Sequence, residues 1–522
     1  MLSATTGEDR PSRPSLLIPS LIALIYFLAH MATSTRYGYF RDALYYVACS
    51  HHLDWGYVDQ PPLIVLLAWI VRHTLGVSLP ALLIWPVIAG AARIILTAAF
   101  ARELGAGIFG VALAAVLAGT PLVWYAIDHQ FAMNAFEPLF WTGCAYAILR
   151  MMHTGNPKWW LAFGAIAGLG LENKYSIAFF AFFLLVGLLL TPQRKLLFSP
   201  WVLAGGAIAL LLFLPNLLWN IHHHWPFLEL MHNIRASGRD VVLSPVAFVG
   251  QQIVIMNPLS MPFWLAGILF YFSVAGKPFR AFGWAFVLTV GFFLLAHGKN
   301  YYSAPVYPLV FAAGAVATER FLSSERFQAH LRWAAALRAA TFVWLFVAIL
   351  LLLPAVLPVL PLATYLRYQS HLPISAPKAE RQYGDIVLPQ HYADEFGWED
   401  FVAHVADVYH SLTPAEQAKV AIFANNYGQA AAIDFFGGRY GLPKSICTHQ
   451  NYFLWGPRDY DGEIVIRTGL KREDALDSYE SVRVAATLDH PLSMPYERNP
   501  ILLCRHRKKN LQTDWPNLKN WD

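Results

Sequence analysis

Charged residues are scarce in this sequence: they make up only 14% of its 522 residues, while 57% of the residues are hydrophobic. Soluble globular proteins carry about a quarter charged residues, so this composition excludes an ordinary soluble domain. There are only four cysteines, and no Cys-x-x-Cys pair or His/Cys ligand spacing predicts a zinc site. We find no internal repeat, no glycine-rich nucleotide-binding loop and no clear signal-peptide cleavage site.

The chain instead has repeated long apolar runs, which predict a polytopic α-helical membrane protein. A helix needs about 20 apolar residues to cross the hydrocarbon core of a membrane. By this criterion we predict eleven spans, some of them short. They are Leu16–Ser34, Pro80–Phe100, Gly107–Tyr125, Ala135–Met151, Trp159–Leu171, Ser176–Leu190, Pro200–Asn220, Pro258–Ala275, Ala281–Ala296, Ser303–Thr318 and Ala339–Ala363.

The loops between these spans alternate in charge. With the N-terminus inside, the cytoplasmic loops hold most of the cations and the opposite loops hold more acids, as the positive-inside rule expects. The segment Pro61–Leu75 is apolar but short, and it ends in Arg72 and His73, so we expect an interfacial helix there. An odd number of spans then places the C-terminus outside. The cytoplasmic cations are Arg10, Arg13, Arg102, Arg150, Lys158, Arg194, Lys195, Lys277, Arg280, Arg320, Arg326, Arg332 and Arg338.

The composition changes at about Thr364, where charged residues and short β-like runs appear. Four runs, KVAIFA, GEIVIRT, SVRVAAT and ILLCRH, predict strands, and WEDFVAHVADVYHSL and YGQAAAIDFF predict helices. We therefore predict a membrane domain over residues 1–363 and a small extracytoplasmic α/β domain over residues 364–522. Within it, Cys447 and Cys504 could form a disulfide. The last residues, Arg505–Asp522, are predicted to form a solvated or surface-bound tail.

Unusual polar residues collect in the loops on the non-cytoplasmic side. Lys174 and Lys299 are each flanked by apolar helix, where a cation is costly and where pairing with a function is expected. A phosphate at headgroup depth is a natural partner for both lysines, whereas snorkelling is the structural alternative. The other candidates in these loops are Arg41, Asp42, Asp59, His129, Asn134, Glu137, His297, Tyr301 and Tyr302.

Asp42 has two interpretations. It could be the N-cap of an interfacial helix that begins with ALYYVACSHHL. It could equally be a general base that takes a proton from an incoming hydroxyl beside a lipid headgroup. For Tyr301 and Tyr302, anchoring in the aromatic belt is the structural alternative to donating hydroxyl hydrogen bonds.

Several short motifs together resemble a known family. FRDALYY, GYVDQPPL, the acidic loop before the fourth span, GLGLENKYS and GKNYYSAPVYP occur in this order between Arg36 and Pro308. The pattern is similar to bacterial GT-C class membrane glycosyltransferases, relatives of the protein O-mannosyltransferases and lipid A aminoarabinose transferases. Two positions depart from the family pattern: Ala43 follows Asp42 where relatives commonly have Asp-Glu, and Asn173 precedes Lys174 where relatives often have Thr.

The resemblance implies sugar transfer from a polyprenyl-phosphate donor to an acceptor hydroxyl at the outer face of a bacterial plasma membrane. Asp42 would be the base, Lys174 and Lys299 would stabilise the departing phosphate together with Arg41 or His297, and a single displacement would invert the anomeric carbon. The acceptor would be an envelope glycan, lipid or protein. We expect no cofactor and no nucleic-acid partner, although a divalent metal held by Asp42 and Asp59 stays open.

Two other functions fit the same sequence features. A transporter or flippase for a lipid-linked or small solute would also need many spans and intramembrane cations. It predicts ionisable residues at mid-membrane and two repeated halves, which the sequence does not show. A non-catalytic assembly factor would instead depend on the C-terminal domain binding envelope glycans.

Overall fold

The membrane part of the chain folds almost entirely into helices. The structure is a computed structural model, and it describes residues 14–238, 240–328, 330–372 and 386–522, so the predicted cytoplasmic residues Arg10 and Arg13 lie outside the described residues. The helices of this part are α1 (Leu17–Thr33), α2 (Arg41–Cys49), α3 (Leu63–Thr74), α4 (Leu79–Glu103), α5 (Ile108–Gly119), α6 (Leu122–Asp128), α7 (Glu137–Thr154), α8 (Trp159–Asn173), α9 (Ile177–Leu189), α10 (Trp201–His222), α11 (Pro226–Ser237), α12 (Pro245–Ile255), α13 (Met261–Phe272), α14 (Arg280–Leu295), α15 (Tyr307–Leu322), α16 (Glu325–Gln328), α17 (Leu331–Leu352) and α18 (Leu362–Ser370).

Each of the eleven predicted spans falls on a helix or on a bent pair of helices. Within the described residues, four helices are long and apolar enough to cross a membrane, and the number reaches seven if each bent pair is one span. The span from Gly107 to Tyr125, for example, is the pair α5 and α6, which bends by 61°. The count of eleven therefore stays a prediction. Helix α3 has 12 residues, a length of about 18 Å that is too short to cross.

Helices α8 and α10 approach each other closely because both have glycine at the contact. A Cβ atom on Gly164 would lie 2.0 Å from the carbonyl oxygen of Gly205, and one on Gly205 would lie 2.3 Å from that of Trp160. Small residues permit this backbone contact between helices in a membrane, where the hydrophobic effect does not drive helix association. The pair therefore fixes α10, whose last turns lie beside the outer loops.

A buried ion pair connects the first helices. Arg93 of α4 donates to Asp128 at the end of α6 over 2.9 Å, and the hydroxyl of Tyr26 in α1 donates to the same carboxylate oxygen over 2.7 Å. The side chains of Arg93 and Asp128 are 1% and 0% exposed. Removing one partner would leave the other charge buried and unpaired, so this pair strongly constrains how α1, α4 and α6 pack.

The C-terminal part forms a mixed sheet with helices around it. The strand order is β2-β1-β3-β5-β4, with β1 parallel to β2 and β3, and β5 antiparallel to β3 and β4. The elements are α19 (Gln390–Ala393), α20 (Trp398–His410), α21 (Pro414–Gln417), β1 (Ala421–Ala424), α22 (Tyr427–Phe436), β2 (Ile446–Cys447), α23 (Asn451–Trp455), β3 (Ile464–Thr468), α24 (Arg472–Leu476), β4 (Tyr479–Thr487), β5 (Pro500–Arg507) and α25 (Leu511–Asp514).

The predicted α/β domain is confirmed, with differences at its edges. All four predicted strands and both predicted helices form, and β2 is an additional strand of two residues. The possible disulfide does not form: Cys447 and Cys504 are free and lie on strands β2 and β5, which two further strands separate. Strands are about 4.8 Å apart, so these sulfurs are too distant to bond. The boundary that we propose between residues 363 and 364 falls within α18.

The expectation of a solvated tail after Arg505 is wrong. Leu511, Trp515 and Trp521 are at most 6% exposed, because they pack against the sheet domain. Near the end of the chain, the indole nitrogen of Trp521 donates to the carbonyl oxygen of Gln450 over 3.2 Å. The surface-bound alternative is wrong as well, because the segment begins within strand β5 and Leu511 and Trp515 belong to the hydrophobic core of the domain.

Helix α2 belongs to the hydrophobic core of the C-terminal domain. Its buried residues, among them Leu44 and Tyr45, cluster with Ile433 of α22 and with Phe401 of α20. The first outer loop is thus held between the membrane helices and the sheet domain. This arrangement fixes the position of Asp42, in the first turn of α2.

Neighbouring glycines in α10 give a direct test of this packing. We expect Gly205→Ala to cost about 1–3 kcal/mol, because its methyl group would overlap the backbone of α8. Gly206→Ala should be neutral or slightly stabilising, since nothing lies within 4 Å of its Cβ position and alanine favours the helix. Thermal unfolding of both purified variants in detergent measures the difference, and equal melting temperatures would contradict the close approach.

Candidate active site

A large cavity lies where loops of the membrane part meet the C-terminal domain. It has a volume of about 1070 Å³, and its wall includes residues from the segment between α1 and α3, from the loops around Asn134 and Lys174, from α11 and from Ala296–Tyr302. Residues of the C-terminal domain, such as Asp394 and Tyr427, complete the wall. Segments far apart in the sequence thus form one site.

Nine of the eleven predicted site residues line this cavity. They are Arg41, Asp42, Asp59, Asn134, Lys174, His297, Lys299, Tyr301 and Tyr302. The other two, His129 and Glu137, lie behind the wall. The structure therefore brings the acid and both lysines together, while their chemical roles stay predictions.

Asp42 is held through one carboxylate oxygen. The hydroxyl of Tyr427 donates to Oδ1 over 2.7 Å, and Nε of Arg41 lies 3.7 Å from the same oxygen. Among the described residues, no hydrogen bond is made to Oδ2 of Asp42, whose side chain is 29% exposed. The N-cap interpretation is wrong, because Phe40 is the N-cap residue of α2 and no side chain caps the helix. Oδ2 is thus free to accept a proton from a molecule in the cavity.

Tyr427 is protonated where it meets Asp42. Burial raises the pKa of the Tyr427 hydroxyl well above its usual value; the nearby Arg41 lowers this pKa, and the charge of Asp42 raises it further. The hydroxyl is therefore a hydrogen-bond donor at any physiological pH. Oδ1 of Asp42 is the acceptor of this hydrogen bond.

The guanidinium of Arg41 contacts three residues of the C-terminal domain. It donates to the hydroxyl of Tyr496, lies 3.9 Å from the carboxylate of Asp394, and stacks 5.2 Å from the centre of the Tyr427 ring. Its side chain is 15% exposed. We expected Arg41 to act on a leaving group, but these contacts show that it also joins α2 to the sheet domain.

Lys174 is positioned by an acid and an amide from a neighbouring loop. Its Nζ donates to Oδ1 of Asn134 over 2.6 Å and to Oε2 of Glu137 over 2.9 Å. The rings of Tyr302 and Tyr301 lie 5.0 and 5.9 Å from the ammonium group, within range of a cation–π contact. The tyrosine rings thus contact Lys174 directly, beyond the aromatic-belt role that the sequence also allowed.

The ion pair with Glu137 keeps the ammonium group of Lys174 from extending towards the membrane surface. The glutamate is 5% exposed, and it also accepts a hydrogen bond from the hydroxyl of Ser176. It therefore lies behind Lys174 and fixes the direction of the ammonium group. We predicted Glu137 as a substrate contact, and the structure instead places it in support of the lysine.

Lys299 is paired across the cavity wall with an acid that follows α11. Its Nζ lies 3.1 Å from Oδ1 of Asp240, and the two side chains are 13% and 35% exposed. His297, two residues earlier, has φ of 53°, a left-handed conformation that turns the chain at the end of α14. The turn brings His297 and Lys299 to the same wall.

His129 lies away from the cavity. Its Nδ1 is 3.3 Å from Nδ1 of His30 in α1, and the centres of the two rings are 5.5 Å apart. The physical reason is that α6 ends at Asp128, so the next residue turns towards α1. Asp59, in contrast, lines the cavity and accepts a hydrogen bond from the hydroxyl of Tyr45 over 3.1 Å.

Two cavity residues of the C-terminal domain, Tyr427 and Gln450, are not among the predicted site residues. They occur in segments that are typical of ordinary core packing, and only the folded chain places them on the same cavity wall as Asp42. The C-terminal domain also contains an Asp-x-Asp sequence, Asp459-Tyr460-Asp461. Its two acids are exposed and do not line the cavity.

The other part of the cavity wall is apolar. It consists of aliphatic side chains from α6, α12 and the end of α17: Val123, Ile127, Val254, Ile255, Leu352 and Val356. The wall of the cavity thus combines charged groups with aliphatic side chains. Such a site fits an amphipathic molecule with an anionic head and a hydrocarbon tail.

Comparison with known proteins agrees with this architecture. Two crystal structures of ArnT from Cupriavidus metallidurans are similar to this chain over 92% of its length and 97% of theirs, with 14% identity. Their TM-scores are 0.60 for the form bound to undecaprenyl phosphate and 0.59 for the apo form. The chain therefore has the GT-C fold of membrane glycosyltransferases and is a multi-pass membrane protein.

Sequence comparison gives two shorter matches. Residues 59–219 match the family described as dolichyl-phosphate-mannose-protein mannosyltransferase. The lipid A galacturonosyltransferase RgtD of Rhizobium johnstonii is 28% identical over 191 residues, which are 35% of this chain and 39% of that protein. Both matches support the GT-C relationship that the motifs indicated.

Proposed function

We propose that this protein is a glycosyltransferase that moves a sugar from a polyprenyl-phosphate donor to an acceptor hydroxyl, with inversion at the anomeric carbon. The observation that carries the proposal is the shared cavity. It places one carboxylate, Asp42, and two lysines, Lys174 and Lys299, on the wall of a space that aliphatic side chains also line.

The proposed reaction is a single displacement. Oδ2 of Asp42 takes the proton of the acceptor hydroxyl, and the hydroxyl oxygen forms a bond to the anomeric carbon of the sugar. The bond between that carbon and the phosphate oxygen breaks, and the polyprenyl phosphate leaves with additional negative charge. Lys174 and Lys299 stabilise this charge, as positioned cations do in a site that excludes water.

The donor class follows from the charged and aliphatic groups of the cavity wall. A phosphate would meet the ammonium groups, and a polyprenyl tail would lie along the aliphatic side chains of α6, α12 and α17. The similarity to ArnT, of which one structure holds undecaprenyl phosphate, supports a donor of this kind. The printed activity of RgtD supports an envelope lipid as one acceptor class, beside a glycan or a protein.

The cavity opens, in this proposal, at the outer face of the bacterial plasma membrane. The cations predicted for the cytoplasmic side are in the opposite set of loops, so the positive-inside rule supports this orientation. The C-terminal domain is then extracytoplasmic. In that oxidising environment the domain would have no disulfide, because the four cysteines of the chain are buried free thiols.

The alternative function, a transporter or flippase, has less support. It needs ionisable groups along a path through the helices. Arg93 and Asp128 form an ion pair buried among the helices, and the hydroxyl of Tyr26 donates to the carboxylate of this pair. Neither Arg93 nor Asp128 lines the cavity.

The base role of Asp42 is tested by Asp42→Asn, which keeps the shape but removes the basicity. We expect kcat to fall by about 10²- to 10⁴-fold, while binding of undecaprenyl phosphate is retained. Asp54→Asn is the matched control, because Asp54 lies in the same outer loop and does not line the cavity. Transfer is measured by mass spectrometry of envelope glycolipids that have been incubated with the purified protein in nanodiscs. Unchanged transfer by Asp42→Asn would contradict the base role.

The lysines are tested by Lys174→Ala and Lys299→Ala. Each change should lower kcat/KM by about 100-fold or more, mainly through weaker binding of the donor phosphate, since a positioned cation at the leaving phosphate is lost. Lys277→Ala is the control, because Lys277 is exposed and outside the cavity wall. Binding of undecaprenyl phosphate measures the effect directly, and wild-type affinity in both variants would argue against the phosphate site.

Removing the carboxylate of Asp240, which pairs with Lys299, should strengthen donor binding, whereas removing either lysine should weaken it. An incoming phosphate must compete with this carboxylate, and a partly exposed ion pair contributes about 0.5–1 kcal/mol. Asp240→Asn should therefore lower the donor KM by about threefold with kcat unchanged. Steady-state kinetics against donor concentration measures both constants. A higher KM would show that Asp240 is needed to position Lys299.

A further inference from the structure

The C-terminal domain contributes to the cavity through a contact that the proposed reaction does not by itself require. The hydroxyl of Tyr427 is the closest hydrogen-bond donor to Asp42, 2.7 Å from Oδ1, although 385 residues separate the two in the sequence. Tyr427 also lines the cavity. The carboxylate of Asp42 is thus held by a residue of the C-terminal domain.

Tyr427 has little freedom to move. It begins α22, where the side chain of Asn426 accepts the backbone N–H of Gln429 and caps the helix. Its ring packs 4.7 Å from the ring of Tyr45 and 5.1 Å from that of His449. A phenol that is fixed at the first turn of a capped helix presents its hydroxyl in one direction.

The residue beside Asp42 completes the contact. Arg41 reaches the C-terminal domain through Tyr496 and Asp394, and the hydroxyl of Tyr496 itself donates to Asp394 over 2.6 Å. The backbone of α22 also approaches closely, since a Cβ atom on Gly428 would lie 2.6 Å from Cγ of Arg41. Arg41 and Asp42 are therefore held by the sheet domain as one unit.

We propose that Tyr427 is a positioning residue for Asp42, so that the C-terminal domain completes the active site. Its hydrogen bond fixes Oδ1 and leaves Oδ2 directed at the acceptor hydroxyl. This inference rests on the proposed transferase function, because it assigns Tyr427 to the same base.

The test is Tyr427→Phe in the full chain, which removes the hydroxyl and keeps the ring. A hydrogen bond to a charged group is worth about tenfold to hundredfold in an equilibrium or rate, and we expect kcat/KM for sugar transfer to fall by that factor. Binding of undecaprenyl phosphate should be unchanged, because the lysines are intact. The loss should fall on kcat, with the donor KM unchanged, because the hydroxyl positions the base and does not contact the lysines that bind the donor.

Tyr452→Phe is the matched control. The hydroxyl of Tyr452 also donates to a carboxylate of the same domain, that of Asp434, over 3.1 Å, and Tyr452 does not line the cavity. We expect its kcat and donor KM to match those of the wild type. Equal loss in both variants would show a general weakening of the domain and would overturn the positioning role.

A second measurement separates this inference from the proposed function. Infrared difference spectroscopy against Asp42→Asn isolates the carboxylate stretching bands of Asp42, with no need for catalysis. Loss of the hydrogen bond to Oδ1 should change the frequency of these bands in Tyr427→Phe relative to the wild type. Unchanged bands in Tyr427→Phe, with sugar transfer by the wild type, would overturn the role of Tyr427 alone. Changed bands in Tyr427→Phe, with no sugar transfer by the wild type, would overturn the transferase function and leave the contact standing.

Discussion

A charge at the edge of a membrane helix bundle needs a partner, and the cavity wall of this protein satisfies that need group by group. Lys174 is paired with Glu137, Lys299 with Asp240, and Arg41 with Asp394, while Asp42 accepts from Tyr427. Each partner lowers the cost of keeping a charge in a poorly hydrated place. Each partner also fixes the direction of the charged group, and a displacement reaction depends on those directions.

These partners belong to different parts of the fold. Glu137 begins a helix of the bundle, Asp240 follows α11, and Tyr427 begins a helix of the sheet domain. The site is therefore an interface between the bundle and the C-terminal domain. Helix α2, which has its buried face in the core of that domain, carries Asp42 at this interface. The sheet domain is in this respect a structural part of the site, and not an appended module.

The sequence predicted much of this arrangement. Apolar runs located the helices, and alternating patterns located four of the five strands, because burial in a bundle or a sheet has a periodicity that residues record locally. The cost of an isolated cation beside hydrocarbon singled out Lys174 and Lys299. Other features were not local. The position of His129 beside His30 depends on where α6 ends, and the packing of the tail depends on where Trp521 meets Gln450.

The sequence by itself predicted a polytopic membrane protein, its helical part, the C-terminal α/β domain and the residues with unusual chemistry. Only the tertiary structure decided which of those residues share a cavity and which support them from behind. It also decided that Tyr427 meets Asp42 across 385 positions. The physical reason is that a chain encodes burial and charge residue by residue, whereas a site is a set of distances between segments, and those distances exist only once helices and sheet have packed.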